Sequence, residues 1–225
     1  MSAQTPTPAV PALVARALRA GTTVTPAGRW TSVAGAAYVA GWIAGLAVVP
    51  SVPADVHAFY LSHPAQVTVQ ALLVHGVAGV ALAVLALVLP RALGLASPGL
   101  VRSSGVAAAV VSLGQTVLTL VAVGRAASDS PATTLGLVHA VDVADTVKLV
   151  LRAVFVPAVT TAARRARMLP RWTSVLAAVL VVLLPLGGAA FLVPNGLLML
   201  LLVASLPLLL LWAGTVALLV GRRAH

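Results

Sequence analysis

Residues 164–223 read RRARMLPRWTSVLAAVLVVLLPLGGAAFLVPNGLLMLLLVASLPLLLLWAGTVALLVGRR. Two uncharged apolar runs, 173–193 and 197–220, flank the turn Pro194-Asn195-Gly196, and arginines close both far ends. Each run has the roughly 20 residues that a helix needs to cross the hydrocarbon core. Arginine on one side of such a pair and a short neutral turn on the other is the charge asymmetry of a membrane hairpin with both ends inside.

The same alternation runs through the whole chain. Four further stretches, at about 31–49, 67–89, 104–124 and 136–162, are long and apolar enough to span. Eleven of the fourteen basic residues lie in alternate gaps: Arg16, Arg19 and Arg29; Arg91 and Arg102; Arg164, Arg165, Arg167 and Arg171; Arg222 and Arg223. The intervening gaps hold only Arg125. The expected fold is therefore all-α, a polytopic bundle of six transmembrane helices with both termini cytoplasmic.

Composition agrees with that reading. Charged residues make up 8% of the chain and hydrophobic ones 60%, whereas a soluble domain carries about a quarter charged residues. The net charge of +10 is divided among short loops and forms no single patch, which argues against nucleic acid and for anionic lipid at the cytoplasmic face. One of the fourteen bases is Lys, and Ala, Val and Leu dominate. That is the residue bias of a GC-rich bacterial genome, which points to a bacterial cytoplasmic membrane. The chain has no cysteine, which excludes disulfides, thiolate metal sites and cysteine nucleophiles.

Residues 1–28 are expected to form a basic cytoplasmic tail ahead of a single transmembrane domain, 29–225. Pro8, Pro11, Arg16 and Arg19 interrupt any signal-peptide core. Within the tail, Val10, Leu13, Val14 and Leu18 share one helical face, so a short interfacial helix is one reading and a disordered tail the other.

Arg29-Trp30-Thr31-Ser32-Val33 recurs as Arg171-Trp172-Thr173-Ser174-Val175. A partial duplication would explain the echo. So would local preference alone: Arg inside, Trp at the headgroups, Thr or Ser as a helix N-cap. In the first span Ala37, Gly41 and Gly45 recur every fourth residue, a small-residue face for close helix packing inside the chain or, alternatively, for a homodimer or a partner subunit. Pro185 with Gly187-Gly188 predicts a kink or local unwinding in the fifth span.

The fourth span carries the chemistry. His139, Asp142, Asp145, Thr146, Lys148 and Arg152 fall within about half of the helix circumference, and Val143, Val147, Val150, Leu151 and Val154 fill the rest. The apolar remainder, residues 153–163, is too short to cross alone. The ionisable stretch is thus expected inside the bilayer, facing the bundle interior. Asp145 and Lys148 are spaced to pair, and with Asp142 and Arg152 they allow a closed, neutral ion-pair network. His75 and Gln70 in the second span and Gln115 and Thr116 in the third lie at similar depth.

Three functional readings follow. The first is a small-solute or proton-linked permease whose cavity, in the outer half of helices two to four, is lined by His75, Gln115, His139, Asp142, Asp145 and Lys148 with Arg152 at its floor. The second is a non-catalytic assembly subunit or scaffold in which the charges only bind helices together. Solvent access around Asp145 separates these two. The third is a membrane enzyme or a haem protein using His75 and His139 as facing ligands. No cofactor is expected from any motif, and no nucleophile elbow or paired acidic cluster marks a catalytic centre. His57 and His63, with Asp55 in the outer loop, are weak metal candidates; interfacial Phe59 and Tyr60 give that loop a membrane-surface reading instead.

Leu72-Leu73-Val74-His75-Gly76-Val77-Ala78-Gly79 and Ala144-Asp145-Thr146-Val147-Lys148-Leu149 resemble stretches of uncharacterised actinobacterial six-helix integral membrane proteins. The resemblance covers two helices. It implies the six-helix topology and carries no activity.

Overall fold

A computed structural model describes residues 25–48, 55–193 and 195–223, and among these residues every regular element is helical. The expected tail helix lies outside them. Helices α1 (Pro26–Val48), α3 (Pro64–Ala92), α4 (Gly99–Arg125), α5 (Pro131–Arg165), α6 (Trp172–Ala189) and α7 (Gly196–Arg223) are all long and apolar enough to span a membrane. A short helix, α2 (Val56–Ser62), occupies the loop before α3. The chain is thus a six-span helical protein of integral-membrane character.

The six long helices form a closed ring in chain order, each packed on its sequence neighbours and α7 packed back on α1. Their long apolar faces point outwards: Val143, Val147, Val150 and Val154 of α5 are exposed, while Asp145, Lys148 and Arg152 are buried. This inverts the soluble pattern, because hydrocarbon rewards apolar surface outside and polar groups must find partners inside. One end of the ring carries α2. The other carries the arginine-rich connections, and there Arg223 donates to the carbonyls of Arg167 and Met168, both at 3.2 Å.

Local chemistry explains the boundaries that differ from expectation. Helix α1 starts at Pro26, not near Thr31, because Thr25 Oγ1 accepts from Gly28 N at 3.2 Å and Pro is tolerated at the first helical position. Thr31 therefore caps nothing. It is buried inside the helix and bonds back to Ala27 O at 2.8 Å, as Thr173 bonds to Pro170 O at 2.7 Å. In both copies of the echo the Trp and Val are exposed and the Thr is fully buried.

Helix α6 runs through Pro185 without interruption and ends at Ala189, four residues short of Val193. Ala190, Phe191 and Leu192 then bond three residues back, to Gly187, Gly188 and Ala189. Those bonds tighten the chain into 3₁₀ geometry.

Helix α3 contains a π-helical segment, Leu72–Val77, that periodicity did not foretell. The small-residue face of α1 packs on it. A Cβ added at Gly41 would stand 2.9 Å from Leu73 O, and one at Gly45 would overlap Val74 Cγ2. Gly41 and Gly45 are glycine because the two backbones touch there, while Ala37 packs half-buried against the core. This face is used within the chain.

Candidate functional site

Lys148 is the central residue of the 35-residue α5, so it lies at mid-depth of the ring. Its side chain is fully buried, and a buried ammonium needs all of its donors satisfied. They are satisfied by groups from three helices. Asp145 Oδ1, one turn back on α5, is 2.5 Å away. Gln115 Oε1 of α4 accepts at 2.6 Å, and His75 Nδ1 of α3 stands at 3.2 Å. A charged Lys148 has no acceptor to offer, so His75 receives through Nδ1 and carries its proton on Nε2.

Each ligand is itself held. Gln115 is fully buried and its Nε2 donates to Val141 O at 3.0 Å, which fixes the amide so that its oxygen faces Lys148. His75 sits within the π-helical segment, and its carbonyl accepts from Ser112 Oγ at 3.0 Å. The extra residue in that turn rotates the side chains that follow, and π-turns of this kind recur at functional sites. On the far side of α5, Thr146 Oγ1 donates to Gly188 O at 2.8 Å, locking α5 against the glycine pair of α6.

Arg152 follows one turn beyond Lys148. It is also buried, with its guanidinium 5.5 Å from the Tyr38 ring and 5.4 Å from the Trp42 ring. The Trp42 ring also receives Lys148 at 5.8 Å. None of the three Arg152 nitrogens has a hydrogen-bond partner in the protein. The four-membered network allowed by the sequence does not form: among the described residues Lys148–Asp145 is the ion pair inside the bundle, and neither Asp142 nor Arg152 joins one.

Above the cluster, towards the α2 end, a partly open cavity of about 440 Å³ is bounded by residues that include Trp42, Tyr60, Gln70, His75, Asp145 and Leu206. Asp145 and His75 therefore have two environments, Lys148 behind and the cavity in front. Gln115 and Lys148 stand behind that wall. His139 is exposed on α5 and Asp142 is half-buried; neither borders the cavity, so His139 does not face His75 across it. Arg152 belongs to a separate, enclosed pocket on the arginine side of the cluster.

Helix α2 roofs the cavity with Val56, Phe59 and Tyr60. Asp55 Oδ1 caps it by accepting from Ala58 N at 3.0 Å, and His57 Nδ1 meets Thr134 Oγ1 of α5 at 3.0 Å. His63 stacks on Phe59 and bonds Ser62 Oγ at 2.8 Å. Among the described residues no three potential ligands gather to hold a metal ion. Burial, and then the nearby Asp142 carboxylate, hold the Tyr60 phenol above its ordinary range.

A larger groove of about 810 Å³ lies between α4 and α5 at the arginine end. Its wall is mostly apolar, with Arg165 as its one charged residue, and it holds no buried polar cluster.

Trp42 and Tyr38 are the site residues least visible beforehand. An aromatic in an apolar span reads as packing or as an interface anchor until a cation is found against its face. No protein-family model matches this chain, and comparison with curated proteins and with solved structures found no match.

Proposed function

We propose that this chain is a small-solute or proton-linked permease of the bacterial cytoplasmic membrane, with the arginine-rich end inside and the α2 end facing out. One observation carries the reading. The carboxylate that neutralises a lysine at the centre of the bundle also borders a cavity of about 440 Å³. A pair that served only to hold helices together needs no path from the cavity, whereas a carboxylate that exchanges partners does.

The chemistry available is partner exchange. A proton or a cationic group arriving through the cavity meets Asp145 first. Once Asp145 is neutralised, Lys148 keeps Gln115 and His75 as acceptors and is not left bare. The ammonium thus keeps two hydrogen-bond acceptors in both states, and the loss of its counter-ion raises the energy of the neutral-Asp145 state and drives the site back to the pair.

The cysteine-free chain allows a direct test. Single cysteines at Gln70, Val138 and Leu206 border the cavity, and one at Val156 lies beyond the lysine. An impermeant thiol reagent added outside is expected to label the first three and spare the fourth. Proteoliposomes with an entrapped pH dye, driven by a potassium diffusion potential, are expected to acidify with wild type and not with folded Asp145→Asn. Unlabelled cavity positions together with equal acidification by the two proteins would overturn the reading.

A further inference from the structure

The charges inside the bundle do not balance. Asp145 contributes one negative charge, already engaged by Lys148 at 2.5 Å, and Lys148 and Arg152 contribute two positive ones. A lysine can lose its proton when buried; a guanidinium cannot, so Arg152 remains charged. Its aromatic contacts with Tyr38 and Trp42 offset only part of the cost of burying an ion. Three nitrogens without a protein partner add to that deficit.

Arg152 projects into the enclosed pocket on the arginine side of the cluster, whose wall includes Tyr38, Leu82, Leu85, Phe155 and Trp212. No acidic side chain lines that pocket. Trp212 Nε1 is already spent on Thr160 Oγ1, at 2.8 Å. The cavity there is about 20 Å³, and one water needs roughly 10–15 Å³. The pocket thus has room for an ion of one atom and none for a carboxylate or a phosphate. Its apolar wall favours a monovalent, weakly hydrated anion, since a second negative charge would find no cation.

We propose that Arg152 is the anchoring residue of a buried halide site of the chloride class, set between Tyr38, Phe155 and Trp212 on the arginine side of the Lys148 cluster. The site is a binding site whether or not the chain transports, so its test needs no flux.

Purified full-length protein in detergent is prepared in sodium gluconate and titrated with sodium chloride or sodium bromide at constant ionic strength. The melting temperature is expected to rise with the logarithm of halide concentration, by on the order of 3–6 °C at about tenfold above the dissociation constant. In a background lacking the exposed Trp30 and Trp172, bromide is expected to quench the remaining tryptophan fluorescence along a saturating curve, which gives the half-saturation. Arg152→Leu removes the buried charge, a change that buried ions often tolerate, and is expected to abolish both responses. Arg152→Lys keeps the charge without the planar fork and is expected to move half-saturation by about tenfold. Equal melting temperatures in chloride and gluconate overturn the proposal. So does a saturating response retained by Arg152→Leu or, should that variant not fold, an unchanged half-saturation in Arg152→Lys.

Discussion

Lys148 Nζ lies 2.6 Å from Gln115 Oε1, and the Gln115 amide is pinned in turn by its bond to Val141 O at 3.0 Å. This relay ties α4 to α5 at two points and fixes an acceptor beside the lysine that carries no charge. The ammonium is therefore held by one ionic and two neutral partners; Asp145 and His75 border the cavity, and Gln115 stands behind it. The contributions of the partners can be separated by mutation.

Asp145→Asn is expected to destabilise the protein by about 3–5 kcal/mol, the usual cost of removing one member of a buried pair, softened where the cavity admits water. Lys148→Met alone should also destabilise. The double variant should recover much of the loss, because no charge is then left unpaired. Thermal unfolding of the three variants in detergent decides the matter, and a wild-type melting temperature for Asp145→Asn would show that the charge is not buried.

Gln115→Leu preserves volume but removes two bonds and leaves one lysine donor without a partner, while Val141 O keeps its helical bond within α5. A loss of about 1–3 kcal/mol is expected for each buried group left unsatisfied. Denaturant titration of the folded protein would measure it. An unchanged midpoint would mean that Asp145 and His75 suffice for Lys148.

At the α1–α3 seam, Gly41→Ala adds a Cβ 2.9 Å from Leu73 O, against backbone that cannot turn aside. Overpacking of this kind costs about 1–3 kcal/mol. Gly114→Ala is the control, since nothing stands within 4 Å of its added Cβ. That control should be neutral or stabilised by up to about 1 kcal/mol through helix propensity. Equal effects at the two positions would refute the close approach.

Orientation is open to the same thiol chemistry. Cysteines introduced at Ser97 and Met168 lie at the arginine end, and one at Ser128 lies at the α2 end. Intact cells treated with an impermeant reagent should be labelled at position 128 alone. Strong labelling at 97 or 168 would reverse the assignment of inside and outside.

Much of this architecture was legible in residue order. Six apolar stretches of sufficient length, arginines in alternate gaps and the polar half-circumference of the fourth span are local properties, read from hydropathy and a rotation of about 100° per residue. They made Asp145, Lys148 and Arg152 inward-facing before any coordinates, and they marked Gly41 and Gly45 as a packing face. Tertiary structure alone decided which inward groups meet. The π-helical turn at Leu72–Val77 brings His75 to within 3.2 Å of Lys148, and residue types do not announce an extra residue in a helical turn. Asp142, a permitted member of the charge network, stands apart from it, and Arg152 meets aromatic rings where an acid was expected. The reason is geometric: periodicity sets the face of a helix, whereas a hydrogen bond requires two helices to agree in rotation and height to a fraction of an ångström. That agreement is set by the packing of the whole ring, through contacts such as Gly41 on Leu73 and Thr146 on Gly188, and no single segment contains it.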